Sequence, residues 1–199
     1  VNHIVNVLRL KINDEINVCN EINGINYKSK IVEINKEVVK CNILEEFQSS
    51  SEPNIYINIF QGLPKAEKME FIIQKCTELG VKEITPVEME RCIVKLDSKS
   101  ASKKQERWKK IAEVAAKQSR RNTIPKINNV TNIKNICNIL KDYDIVIVPY
   151  ENEKNTTLKE TLNVLPKKNL KIAIVIGPEG GLEEKDVEYL KQNGAKIVT

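Results

Sequence analysis

The chain has 199 residues, 41% hydrophobic and 30% charged, with a net charge of +5, enough to bury a real core as one large domain or two small ones. No run of about 18 apolar residues occurs, which argues against a transmembrane helix and a membrane partner. Cys19, Cys41, Cys76, Cys92 and Cys137 are odd in number and form no C-x-x-C pair, so buried, reduced thiols in a cytoplasmic protein are expected rather than a disulfide framework.

His3–Leu10 is a short apolar segment, followed by a turn at Lys11–Asp14. Glu15–Asn20, Ile25–Ile34 and Glu37–Leu44 read as short antiparallel strands, with a hairpin at Asn23-Gly24 and a weaker turn at Asn35-Lys36. Several such strands in under 50 residues suggest a small barrel or half-barrel. Gln48–Pro53 is polar and aperiodic, and reads as a linker. The expected division is a β domain over 1–48, a linker over 49–53 and a second domain over 54–199.

From there strands and helices alternate. Asn54–Phe60 is predicted as a strand, Lys65–Leu79 as a helix ended by Gly80, and Glu83–Val87 as a strand. A basic helix is predicted over Ser102–Ser119, with Trp108, Ile111, Ala112 and Ala115 inward, so Trp108 is expected in the core rather than stacked on a base. Ile133–Leu140 is a further helix, Asp144–Val148 a buried strand, and Leu158, Leu162 and Leu165 mark another helix. Ile172–Ile176 is a strand, followed by a helix to Asn193, a cap at Gly194 and a last strand, Ala195–Val198. This alternation predicts an α/β domain with a mostly parallel sheet.

The chain is organised around Lys171–Gly181, KIAIVIGPEGG. An apolar run buried on both faces breaks into Gly177-Pro178-Glu179-Gly180-Gly181, and an acidic helix start follows. Open α/β sheets bind ligands beyond the carboxyl ends of their strands. Glycines there admit positive φ and close approach, while proline stiffens the turn. An ordinary strand-to-helix turn is the alternative. The pattern matches neither G-x-x-x-x-G-K-[ST] nor G-x-G-x-x-G.

Charge is uneven. Arg91–Lys126 holds twelve basic and three acidic residues, +9, while the remainder sums to −4. Such a segment marks a polyanion partner, with a solvated lysine-rich helix face as the alternative.

Taken in order, HIVNVLRLKINDEI, GLPKAEKMEFIIQKCTELGVKEITPVEMERCIVK, RWKKIAEVAAKQSRRNTIPKI, VPYE and IGPEGGLEEKD resemble the RsmE-type 16S rRNA (uracil-N3)-methyltransferases of the SPOUT class. The resemblance covers most of the chain. It implies a PUA-like RNA-binding domain, then a trefoil-knot domain acting as a homodimer, with S-adenosyl-L-methionine as methyl donor and a uridine in 16S rRNA or the small ribosomal subunit as substrate. Family members carry a strand before the His3 segment, and an arginine-bearing knot loop, L-G-x-R-[IV]-L-R-x-E-T-A, and a helix after the last strand. These are expected outside the 199 residues.

By the same resemblance Pro149, Tyr150, Glu151, Ile176, Gly177, Pro178, Glu179, Gly180 and Gly181 are assigned to the cofactor. Tyr150 is equally well an ordinary loop tyrosine, and Glu179 either bonds the ribose or caps the helix that follows it. Gly180 is the position where a branched side chain is expected to block the ligand. Arg9, Arg91, Lys95, Arg107, Lys110, Arg120 and Arg121 are candidates for RNA contact. Arg120 and Arg121 are the sharpest, on the expectation that their helix ends at the ligand edge of the sheet. Methylation of a uracil nitrogen needs a lost proton and a cation near the ring oxygens, for which Arg9, Arg91, Arg120 and Arg121 are candidates. No metal-ligand spacing is present, His3 being the only histidine, and no catalytic base is assigned. Glu78 reads as a salt-bridged helix-end carboxylate before it reads as a base. A non-catalytic RNA-binding or ribosome-assembly protein of the same fold is the alternative function.

Overall fold

The structure is a computed structural model that describes residues 1–20, 25–48, 52–166 and 169–199. The Asn23-Gly24 turn and residues 49–51 of the expected linker lie outside the described residues. The chain divides into two compact units, Val1–Glu52 and Pro53–Thr199.

The first unit opens with a single π-helical turn, His3–Val7, then a meander. Strand β1 (Glu15–Cys19) pairs antiparallel with β2 (Ile25–Ile34), and β2 with β3 (Val39–Gln48). Among the described residues this is a three-stranded sheet. β3 starts two residues later than expected and runs four further, because two register shifts against β2 let it follow the whole partner strand. The weak turn holds through Asn35, whose Oδ1 accepts the N–H groups of Glu37 and Val38 at 2.9 and 2.8 Å, an Asx turn. Ile31 is fully buried, so Ile31→Ala should cost about 2–5 kcal/mol.

The second unit alternates β4 (Tyr56–Gly62), α1 (Lys68–Glu78), β5 (Glu83–Glu88), α2 (Ser98–Gln118), β6 (Lys126–Ile127), β7 (Thr131–Asn132), α3 (Ile133–Leu140), β8 (Ile145–Pro149), α4 (Leu158–Asn163), β9 (Lys171–Ile176), α5 (Glu184–Gln192) and β10 (Lys196–Val198). The sheet order is β10-β8-β9-β4-β5-β6, with β7 also on β5, and every pairing is parallel. Pro86 lies on β5 between the registers of β6 and β7, where no neighbour on that side needs its absent N–H.

β8 is apolar on both faces, as its unbroken run predicts. Val146 and Val148 enter the large core with Phe60, Trp108, Ile136 and Leu190, while Ile145 and Ile147 enter a smaller one with Ile172 and Val198. Trp108 is 3% exposed, as its helical stripe predicts. α2 starts earlier than expected because Asp97 caps it, accepting the Ser100 N–H at 2.8 Å. α1 starts later, since Ala66 adopts φ +52 and breaks the first expected turn. Cys92 and Cys137 are buried, but Cys19, Cys41 and Cys76 are only half-buried, and none is in a disulfide. The full burial expected of all five thiols therefore does not hold.

Candidate active site

Because the strands are parallel, their carboxyl ends share one edge. From β4 the chain moves outward through β5 to β6 and β7, then crosses to β8 and returns as β9 between β8 and β4. Ligands of open parallel sheets bind where strand order reverses in this way. The loop 177–182 leaves β9 at that point.

Its conformation is held on three sides. Gln61, buried at the end of β4, donates from Nε2 to Gly177 O at 3.1 Å. Arg91, just past β5, donates from Nη1 to Gly180 O at 3.0 Å and from Nε to the Glu183 carboxylate. The Glu179 carboxylate accepts the Lys65 N–H at 3.0 Å and pairs with the Lys68 ammonium at 2.9 Å. Lys68 is the chief reason the Glu179 carboxyl is held down at about 2. Glu179 therefore does not cap the helix that follows it. It ties the loop to the start of α1 instead, because the turn of Pro178–Gly181, closed by Gly181 N–H on Pro178 O at 2.9 Å, leaves it beside the β4–α1 connection. A fourth tie fixes the neighbouring loop, where the Glu90 N–H donates to Asp186 at 3.2 Å. Burial raises the Asp186 carboxyl above its ordinary range.

The glycines differ. Gly181 has φ +73, and a Cβ there would lie 2.6 Å from Glu151 Oε1. A Cβ on Gly62 would meet Pro178 N at 2.6 Å, and one on Gly177 would meet Gly181 C at 2.8 Å. At Gly180 the nearest atom would be Arg91 Cβ at 3.6 Å, ordinary contact, and φ is not positive. Gly62 and Gly177 thus have no room for a side chain against backbone, Gly181 is restricted by its left-handed φ, and Gly180 meets neither limit within the chain itself.

Pro149, Tyr150 and Glu151 leave β8 beside this loop. Tyr150 packs half-buried against the core, and its hydroxyl accepts from Asn152 at 3.1 Å. The Glu151 carboxylate lies across bare Gly181 and has no hydrogen bond or ion pair among the described residues.

The basic candidates scatter. Arg9 is exposed in the first unit with φ +56. Arg91 grips the loop. Lys95 and Lys110 carry no ion pair among the described residues, whereas Arg107 pairs with Glu70 at 2.8 Å. Arg121 donates from Nη1 to Thr77 O at 3.0 Å and Val81 O at 2.8 Å, at the end of α1 and just before β5. A helix that follows a strand and leads back to a parallel neighbour runs against the strands. α2 therefore starts at the carboxyl edge and ends at the amino edge. The expected placement of Arg120 and Arg121 at the ligand edge is corrected by that geometry; Lys103 and Lys104 lie toward it. Glu78 pairs with Lys75 at 2.7 Å, which lowers its carboxyl, and it ends α1 at the amino edge, as the salt-bridge reading has it.

Gln61, Gly62, Lys65, Lys68, Glu90 and Asp186 were assigned no role from sequence. For Gln61, Gly62 and Lys65 the signal is their place at the carboxyl end of β4 and just beyond it; Lys68, Glu90 and Asp186 carry no such signal. Among the described residues no three histidine, cysteine or carboxylate side chains converge as a metal cluster.

Residues 51–199 match the family model of an RNA methyltransferase domain, and residues 1–44 that of an RNA methyltransferase PUA domain. Fold and site thus define an RNA methyltransferase of the parallel α/β class with an N-terminal antiparallel sheet. The ribosomal RNA small subunit methyltransferase E of Bacillus subtilis is 39% identical, over 96% of this chain and 76% of that protein. The enzyme of the same name from Neisseria gonorrhoeae, crystallised with S-adenosyl methionine, superposes with a TM-score of 0.80 at 28% identity, over 99% of this chain and 79% of that one. A Legionella pneumophila methyltransferase with S-adenosyl methionine bound gives 0.81 at 26% identity, over 99% and 78%. The chain belongs to the ribosomal RNA small subunit methyltransferase E family.

Proposed function

We propose that this protein transfers a methyl group from S-adenosyl-L-methionine to N3 of a uridine in the 16S rRNA of the small ribosomal subunit, as a cytoplasmic homodimer. The observation that carries the reading is the unpaired Glu151 carboxylate beside the bare backbone of Gly181, at the reversal point of a parallel sheet. The cofactor carries a sulfonium, an ammonium and a carboxylate, so its net charge is positive. Pro149–Glu151 and Ile176–Gly181 contain two carboxylates and no cation, and Glu179 is already committed to Lys65 and Lys68. That leaves Glu151 for the ligand's positive groups or ribose hydroxyls, and the glycine backbone for its uncharged parts. The donor set fits the cofactor.

When bound, S-adenosylmethionine supplies an electrophilic methyl carbon. The chain's part is placement. Gln61, Arg91 and Glu179 hold the loop in one conformation before ligand arrives, which lowers the ordering cost of binding. Arg91 is a positioning residue here, since its guanidinium is committed to Gly180 O and Glu183. Pro149, Ile176 and Pro178 flank the glycines as the remaining lining of the site. Lys95, Lys103, Lys104 and Lys110 supply positive charge and make no ion pair among the described residues, suited to RNA phosphates.

Mass mapping and primer extension of 16S rRNA from cells with and without the gene test this directly. The expected result is loss of one methyluridine whose modification halts reverse transcriptase, because a methyl on N3 blocks Watson–Crick pairing. An unchanged modification pattern, with RNA binding intact, would favour the non-catalytic alternative.

A further inference from the structure

A cleft of about 700 Å³ opens at the carboxyl ends of β5 and β7, where α3 and α5 begin. One wall is the Glu88–Glu90 stretch, which continues into Arg91 and so shares a mount with the glycine loop. The opposite walls are Ile133–Lys134 and the first turns of α5.

Six charged groups face the space: Glu88, Glu90, Asp186, Lys95, Lys134 and Lys185. The acids are all engaged. Glu88 accepts the Leu96 N–H at 3.3 Å, Glu90 pairs with Lys185 at 2.9 Å, and Asp186 accepts the Glu90 N–H. Lys95 and Lys134 are exposed and make no ion pair or hydrogen bond among the described residues. Tyr189 is 39% exposed, and neither its ring nor its hydroxyl has a ring contact or hydrogen bond among the described residues. Met89 and Ile133, buried, supply apolar floor.

An unpartnered aromatic ring, an apolar floor and two uncommitted ammonium groups match a planar base joined to phosphates. Formal charge in the cleft is balanced, so a polyanion without a base gains little there. We propose that this cleft receives a single-stranded nucleotide of the RNA substrate, its base on Tyr189 and its phosphates at Lys95 and Lys134. The inference rests on the RNA methyltransferase reading and assigns it a second contact site, beside the cofactor loop rather than within it.

The test is fluorescence anisotropy of a labelled single-stranded oligouridylate over a salt series, with calorimetry of S-adenosylmethionine on the same samples. Tyr189→Leu should weaken RNA binding about tenfold, the scale of one lost stacking contact, and Tyr189→Phe should restore it. Lys95→Gln with Lys134→Gln should flatten the slope of log K against log salt by about 1.4, two single-strand phosphate contacts. Cofactor affinity and the thermal transition should stay unchanged in all three. RNA binding by the wild type, with the variants equally tight and equally steep, overturns the cleft assignment while leaving the methyltransferase reading in place. A loss of cofactor affinity in Tyr189→Leu also overturns it, since the cleft then belongs to the cofactor. A wild type that binds neither RNA nor cofactor overturns both.

Discussion

The two edges of the parallel sheet use their polar residues in opposite ways. At the amino edge a cavity of about 320 Å³ is lined by Asn58, Glu83, Thr85, Asn128 and Tyr143, and these groups close on one another. Asn58 Nδ2 donates to Tyr143 Oη at 2.8 Å and Asn128 Nδ2 to Thr85 Oγ1 at 2.8 Å. Both amides reach the Glu83 carboxylate, at 3.3 and 3.0 Å. Thr85 donates back to Asn58 Oδ1 at 3.2 Å. A network satisfied internally stiffens the fold and offers little to a ligand. At the carboxyl edge, Gln61, Arg91 and Glu179 are spent on holding a glycine loop, while Glu151, Lys95 and Lys134 make no hydrogen bond or ion pair among the described residues. Unspent polar groups, rather than polarity as such, separate the candidate site from structure.

The largest effect should come where backbone conformation and space agree. Gly181→Val forces a branched side chain into left-handed φ, at a cost of roughly 1–2 kcal/mol, and pushes the Glu151 carboxylate from its place across the loop. Calorimetry should show cofactor affinity reduced more than about tenfold. Gly180→Ala, with ordinary contact distances, should stay within about twofold.

Next, the edges should separate stability from RNA binding. Arg121→Gln removes a guanidinium from two carbonyls and should cost about 1.5–3 kcal/mol in denaturant unfolding, with RNA affinity little changed. Lys103→Gln with Lys104→Gln should leave stability alone and flatten the salt dependence of RNA binding by about 1.4. Equal loss of RNA affinity in Arg121→Gln and in the lysine double variant would erase the distinction between the edges.

Arg91→Gln should have a smaller effect, about fivefold on cofactor affinity, because its ion pair with Glu183 is partly exposed. The Lys68–Glu179 tie should appear mainly in pH dependence. The Glu179 carboxyl is depressed from 4.5 to about 2, so its contribution is complete above the ordinary value and fades as pH falls from about 4.5 through 2. Carbon NMR of Glu179 should give a midpoint near that lower value, moving upward in Lys68→Gln.

Much of this was legible in the chain. β9 and α3 fall where apolar periodicity puts them, and the glycine-proline loop follows β9 as its residues announce. β4 was harder: the alternation of Ile55, Ile57 and Ile59 suggests a strand ending at Phe60. Gln61 and Gly62 extend it by pairing with Pro86 and Val87 of β5, a long-range contact no local pattern encodes. β6 and β7, two residues each, are too short to have a period. Asp97 was a readable N-cap signal, Asp ahead of a helical run. The direction of α2 was also derivable, since a crossover between parallel strands must return to the amino edge, and that rule places Arg121 there, against the Thr77 and Val81 carbonyls.

Amide hydrogen exchange on the chain, with and without S-adenosylmethionine, tests the central claim most directly. Ligand should slow exchange at Tyr150, Glu151 and Gly177–Gly181, and leave Glu83, Asn128 and Asp144 at the amino edge unchanged. Protection confined to the amino edge, or absent from the glycine loop despite saturating cofactor, would contradict the assignment of the site.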